Sequence, residues 1–330
     1  MSEAAPIAAL RDLTVRFAVE GSEVHAVNGV SLSLAAGEVL CIIGESGSGK
    51  SVTLRALMRL LPEQRTRMTG GVEVDGRDIL AMTPQALRDM RGGLVSMIFQ
   101  EPMTALDPVY TIGSVIAETV RRHTGVSAQA ARARALELLE LVGVPSAERR
   151  LDAYPHELSG GLRQRAMIAL ALSCGPRLLL ADEPTTALDA TVQIQVLLLL
   201  RRLQAELGMA MIFVTHDLGV AAEIADRVAV MYAGRIVEEG SVAAVLNTPL
   251  HPYTMGLLAC SVENAEPGDE IEAIPGAPPD MRALPPGCAF APRCRYAIGA
   301  CAAPPPEWRP EPGRMARCLR AEELAMVQVR

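Results

Sequence analysis

One lysine, Lys50, stands among the 31 lysine and arginine residues of this sequence. A composition that favours arginine so strongly keeps a lysine where a compact ammonium is needed and a planar guanidinium cannot replace it. Around it runs Gly44-Glu45-Ser46-Gly47-Ser48-Gly49-Lys50-Ser51-Val52, whose first eight residues have the P-loop form G-x-x-x-x-G-K-[ST]. Glycines at these spacings let backbone N–H groups converge on phosphate oxygens, and a helix N-terminus adds positive potential. Lys50 is then placed to bridge the β- and γ-phosphates of a nucleotide. The Ser51 hydroxyl is placed to ligate Mg²⁺, and Val52 continues the loop into the helix.

Three apolar runs end in residues suited to the same chemistry. Leu178–Ala181 delivers Asp182 and Glu183, the first as a Mg²⁺ ligand through water and the second as the base for the attacking water. Met211–Thr215 ends in His216, within reach of a γ-phosphate if it emerges on the same sheet edge. Leu94–Phe99 ends in Gln100, a neutral amide able to sense Mg²⁺ or water. A fourth element is Leu158-Ser159-Gly160-Gly161-Leu162-Arg163-Gln164. Ser159 is an N-cap residue, and the two glycines leave N–H groups open at a second phosphate-binding helix terminus. The chain has one P-loop, so Ser159, Gly160, Gly161 and Gln164 make sense if offered to a nucleotide on a partner chain.

These residues need a parallel α/β scaffold to hold them. Val39–Ile43 reads as the strand before the loop, and Leu54, Leu57, Met58 and Leu61 as the buried stripe of the helix after it. Val228–Val237, with Ala233-Gly234 at its middle, reads as a hairpin. Ala130–Val142 is strongly helical in period. At 330 residues, half of them apolar, the chain has ample material for a packed core. Its net charge of −7 argues against nucleic acid as a partner. No apolar run reaches the ~20 residues a bilayer span requires, and Met1–Leu10 lacks the pattern of a signal peptide.

In order and type, the P-loop, Gln100, the Leu158–Gly161 signature, Asp182-Glu183, the Thr185–Asp189 D-loop and His216 resemble the ATPase subunits of ABC transporters. Phe99–Thr104, Glu183–Asp189 and His251–Thr254 resemble the peptide/nickel importer branch. The resemblance implies an α/β P-loop core with an antiparallel β subdomain and a helical subdomain at about residues 101–174. It places the nucleotide-binding domain at residues 1–250 and a small loop-rich extension at 251–330. An aromatic residue near the N-terminus is expected to stack on adenine; Phe17 and His25 both fit that place. Asp189 belongs to the D-loop. The Gln100–Asp107 loop is the expected docking surface for a membrane subunit; Met90, Met97 and Met103 could line it, but for any single methionine core packing is the better reading. The implied partners are two permease subunits, a related ATPase or a second copy of this chain, and indirectly a solute-binding protein. The implied function is ATP hydrolysis driving di- or oligopeptide import at the cytoplasmic face of the bacterial inner membrane. The alternative is an ABC ATPase of iron–sulfur assembly or another non-transport role.

Eleven of the 23 prolines lie between Pro275 and Pro312. The same region holds Cys288, Cys294, Cys301 and Cys318, spaced C-x5-C-x6-C-x16-C, with no histidine beyond His251. A loop-rich segment needs a staple, and a reducing cytoplasm favours a metal over disulfides. Structural zinc uses closer cysteine pairs, so the spacing suits an iron–sulfur cluster better than zinc. The resemblance implies a [4Fe–4S] cluster, with Arg293, Arg295 and Arg317 offsetting its charge. Cys41, Cys174 and Cys260 read as inert core residues.

Overall fold

Two long strands, β1 (Ala8–Val19) and β2 (Ser22–Leu34), open the described chain. In the computed structural model, residues 5–101, 105–186, 188–260 and 273–328 are described. Internal contacts gather them into two units.

One unit comprises Ala8–Ser33, Val39–Val74 and Val214–Arg330. In it β1 lies between β2 and β4 (Thr66–Val74), with β1 and β4 antiparallel from Ala8↔Val74 to Phe17↔Thr66. β3 (Val39–Ile43), buried at every residue, runs parallel to β9 (Arg227–Tyr232). β9 turns at Ala233-Gly234 into antiparallel β10 (Arg235–Ser241), which pairs with β11 (Met315–Ala316) from the extension. Helix α1 (Lys50–Leu57) follows β3 and buries Leu54 and Leu57. Helices α8 (Leu218–Ile224), α9 (Val242–Asn247), α10 (Pro252–Ala259) and α11 (Ala321–Gln328) complete this unit.

The other unit comprises Met1–Ile7, Leu34–Glu38 and Asp75–Phe213. It holds β5 (Arg77–Asp78), β6 (Val95–Ile98), β7 (Leu178–Asp182) and most of β8 (Ala210–Thr215), with β7 between β6 and β8. Its helices are α2 (Pro84–Met90), α3 (Ile112–Thr124), α4 (Ala128–Leu141), α5 (Ala147–Arg150), α6 (Gly160–Ala171) and α7 (Ala190–Leu207). Ile116, Val120, Ala135, Leu138, Ala166 and Met167 are buried in the packing of α3, α4 and α6. Met90 and Met97 are buried as well, as core packing requires, and do not line a docking surface. Met103 lies outside the described residues.

The extension is anchored to the first unit by charge as well as by β11. Glu238 of β10 is fully buried and accepts from the backbone N–H groups of Leu250 and His251, both at 2.8 Å. Arg314, also buried, donates to Glu238 at 2.7 Å and to the Thr248 carbonyl at 2.7 Å. Burial pushes the Glu238 carboxyl up, and the Arg314 guanidinium is the first influence opposing that. Replacing Arg314 with Met removes one partner of a buried ion pair and leaves the other uncompensated. The expected loss is ~3–5 kcal/mol of unfolding free energy, read from urea denaturation of the full chain.

Candidate functional site

Within the first unit, β3 hands the chain directly to the glycine loop. A Cβ on Gly44 would stand 2.2 Å from the Met231 carbonyl oxygen of neighbouring β9, so the strand edge leaves no room for any other residue. α1 starts at Lys50 behind Gly49, which has φ +106° and no side-chain cap, so the first-turn N–H groups have no capping side chain. The Lys50 side chain, 4% exposed, donates from Nζ to the carbonyls of Gly44 at 2.7 Å and Glu45 at 3.0 Å. Ser48 Oγ is buried and makes no hydrogen bond among the described residues. An orphaned hydroxyl beside a lysine at the start of a helix fits an oxyanion. The residues present therefore fit a nucleotide's phosphates. Cys41 of β3 is buried beneath; burial raises its thiol, as an inert core cysteine requires. His216 follows β8 and is exposed, next to Asp217, which caps α8 by accepting from Gly219 N at 2.8 Å.

Glu45 is held in a way the sequence does not announce. Its carboxylate accepts from both terminal nitrogens of Arg293, at 2.8 and 3.0 Å, and its N–H donates to Tyr253 Oη at 2.8 Å. Arg293 also donates to Tyr232 Oη at 3.3 Å and to the Pro275 carbonyl at 2.9 Å. Arg293 is thus engaged with the loop. Arg317 likewise pairs with Glu307, at 2.6 Å, and Arg295 lies over the Tyr296 ring.

The second unit carries the other half of the motifs. β6 and β7 are parallel with Ile98 opposite Ala181, so Gln100 and Asp182-Glu183 leave the same edge. Asp182 ends β7 and is buried. Glu183 turns the chain with φ +45°, a left-handed conformation costly for a residue with a side chain. Its carboxylate accepts from Thr186 Oγ1 at 2.9 Å. Ser159 caps α6, accepting from Leu162 N at 3.4 Å, and both Ser159 and Gly160 are exposed. A Cβ on Gly161 would meet a Val192 methyl at 2.8 Å, so close packing of α7 requires glycine there. Asp189 caps α7 through Val192 N at 3.0 Å. The D-loop residue Ala187 lies outside the described residues. Gln164, read as facing a partner, is 1% exposed and its amide nitrogen has no partner among the described residues. Gln164 lies in the second turn of α6, on the face that continues into buried Ala166–Ala169.

Phe17 on β1 and His25 on β2 are both half-buried, and the His25 N–H donates to the Met281 carbonyl at 2.9 Å. In the extension, Cys288, Cys294, Cys301 and Cys318 line one small cavity with Phe290, Pro304 and Arg320. Cys288 N donates to the Cys301 carbonyl at 2.9 Å, closing the loop between them. Cys318 Sγ accepts from Arg320 N at 3.4 Å. Burial raises the thiols of Cys288 and Cys294, and that of Cys318 to about 11. Among the described residues no three His, Cys, Asp or Glu side chains are grouped so as to hold a metal ion. Cys174 and Cys260 are half-exposed, not core: each follows the last turn of its helix, where burial ends.

A sequence model of the ABC transporter family matches residues 27–186, and one of the oligopeptide/dipeptide transporter C-terminal region matches residues 237–301. A Brucella melitensis biotype 1 protein named as a peptide import ATP-binding protein is 50% identical over 333 residues, covering 97% of this chain and 98% of the relative. A Brucella abortus protein of the same name is 46% identical over 325 residues, covering 98% of each. Among solved structures, a dimeric ATP-binding cassette in a post-hydrolysis state bound to ADP and Pi is similar at a TM-score of 0.64. It shares 29% identity over 71% of this chain and 98% of its own. The cbiO1 protein of Clostridium perfringens, part of the ABC transporter complex cbiONQ, has a TM-score of 0.62 at 26% identity, over 73% and 91%. An iron–sulfur-assembly role finds no support among these likenesses. With a lysine-bearing phosphate loop in one unit and an exposed signature helix in the other, the chain belongs to the ATP-hydrolysing subunits of the ABC transporter family, on the branch with an oligopeptide/dipeptide transporter C-terminal region.

Proposed function

We propose that the chain powers uptake of di- or oligopeptides, working as a peripheral subunit on the cytoplasmic side of the bacterial inner membrane. The observation that carries this reading is the joining, in one chain, of the nucleotide motifs to an oligopeptide/dipeptide transporter C-terminal region. No described helix is long and apolar enough to cross a membrane, so the transport path is assigned to two permease subunits. The Gln100–Asp107 loop docks them. A related ATPase or a second copy of the chain completes the ATP pair, and a solute-binding protein delivers the peptide. Gly44–Val52 binds the phosphates of ATP, with Lys50 on the β- and γ-phosphates. Ser51, Gln100 and Asp182 serve Mg²⁺, Glu183 takes the proton of the attacking water, and His216 contacts the γ-phosphate. Phe17 or His25 stacks on adenine. Ser159, Gly160 and Gly161 act on the partner's nucleotide. Residues 1–250 form the nucleotide-binding domain and residues 251–330 the extension. Reconstitution with its permease subunits in vesicles tests the reading. Peptide uptake that requires internal ATP is expected; ATP-dependent uptake of other solutes only would overturn it.

Cys288, Cys294, Cys301 and Cys318 are proposed as ligands of a [4Fe–4S] cluster. Zn–S bonds of about 2.3 Å draw four sulfurs to within ~4 Å of one another. A cubane holds its thiolates farther apart. What supports the reading is that the four thiols line one cavity. When bound, the cluster supplies four metal–thiolate bonds that staple the loops. Anaerobically purified protein is expected to be brown. Changing any one of the four cysteines to Ser should bleach it and expose residues 275–320 to proteolysis, whereas Cys41→Ser should leave the colour. One equivalent of zinc without iron would overturn the cluster type, and no metal would overturn the site.

A further inference from the structure

Arg293 sits at the end of the short turn Ala291–Arg293, immediately before Cys294. Phe290, at the start of that turn, lines the cysteine cavity, and its ring packs on Tyr232 and Tyr253 with centroids 5.3 and 5.4 Å apart. The guanidinium of Arg293 lies 5.9 Å from the centroids of both Tyr232 and Phe290. From this setting it reaches Glu45, 248 residues away, with two parallel hydrogen bonds. The fork matches a carboxylate edge as no ammonium can.

Glu45 is fixed at each of its polar groups. Its carboxylate is held by Arg293 and its N–H by Tyr253, and its carbonyl is one of the two on which Lys50 Nζ rests. A shift of Arg293 is therefore a shift of the carbonyl beside the one lysine of the phosphate loop. Arg293 is buried and ends on the second residue of the nucleotide loop.

We propose that Arg293 is a positioning residue for the nucleotide loop, tying Glu45 to the cysteine-bearing turn so that MgATP affinity and the order of that turn rise and fall together. The inference rests on the reading of Gly44–Ser51 as the ATP loop and not on which metal the cysteines hold. Coupling of this kind is reciprocal: if an ordered turn favours nucleotide, bound nucleotide orders the turn by the same factor.

Two measurements on the full-length chain test it: MgATP affinity by displacement of a fluorescent nucleotide, and amide hydrogen exchange of residues 286–296 with and without a non-hydrolysable ATP analogue. Wild type should show slower exchange in that turn when nucleotide is bound. Arg293→Gln should weaken MgATP binding about tenfold, the scale of one lost charge-assisted contact, and should abolish the nucleotide-dependent protection. Arg293→Lys should recover only part of the affinity. Glu45→Gln should match Arg293→Gln, and the double variant should be no worse than either single one, because the pair acts as a unit. Glu45→Gln also asks the question from the loop side should Arg293→Gln fail to fold. MgATP affinity within twofold of wild type in a folded Arg293→Gln protein, or protection that survives it, overturns the inference. Failure of wild type to bind MgATP would overturn the nucleotide reading itself, a different result from binding that ignores Arg293.

Discussion

Replacing Glu183 with Gln is expected to slow steady-state phosphate release by ~10²–10⁴ while MgATP still binds. Glu183 leaves the edge of β7 directly after buried Asp182, in a left-handed backbone conformation that the fold maintains at a cost. Thr186 Oγ1 donates to its carboxylate at 2.9 Å, and the amide oxygen of Gln can accept the same hydrogen bond. Shape and orientation are thus preserved and only the basic oxygen is lost. Nucleotide-bound pairs should accumulate because the step that opens them is blocked. Phosphate release and size-exclusion chromatography with ATP read the two effects. Turnover at the wild-type rate would remove Glu183 from the role of base.

Lys50→Ala and Ser159→Arg should each silence a homodimer, and mixing the two chains should restore activity. Lys50 supplies the ammonium of its own loop, so its loss should weaken MgATP binding about tenfold to a hundredfold. Ser159 caps an exposed helix N-terminus in the other unit, where an arginine replaces a hydrogen-bond acceptor with bulk and charge. If Ser159 serves a nucleotide on the partner, both lesions can fall in one composite site and leave the other whole. In chains that size-exclusion chromatography shows to pair with each other, a mixture as silent as its parents would place Ser159 on the nucleotide of its own chain.

The strands that carry chemistry were legible because they are short, mostly apolar runs that stop at a polar residue or at glycine. β3, β7 and β8 are buried at every position, and the residues that follow them cannot hide. The helix start at Ser159 was legible for a similar local reason, an N-cap beside two glycines. β1 was not, although it is 12 residues long. Asp12 has φ +48° and the register against β4 shifts between Arg11 and Thr14, which breaks the alternation a half-buried strand should show. The inward turn of Gln164 escaped notice because its type, and Arg163 and Arg165 beside it, argue for the surface, while the face it shares with Ala166–Ala169 is buried. The grip of Arg293 on Glu45 leaves no trace in any local window: a contact between residues 248 apart is a property of tertiary packing alone.

β11 has two residues and carries no motif, yet it decides what the outer side of β10 meets. Its pairing of Ala316 with Glu238 and of Met315 with Glu239 covers backbone that would otherwise be an open sheet edge. A chain ending before the extension would present that edge to any other strand, including the same edge of a second truncated molecule. It would also carry Glu238 without Arg314, so the edge could not relax into a settled structure. Self-association of the truncated chain is the expected result, read by light scattering, and the extension is in this sense a guard on that edge.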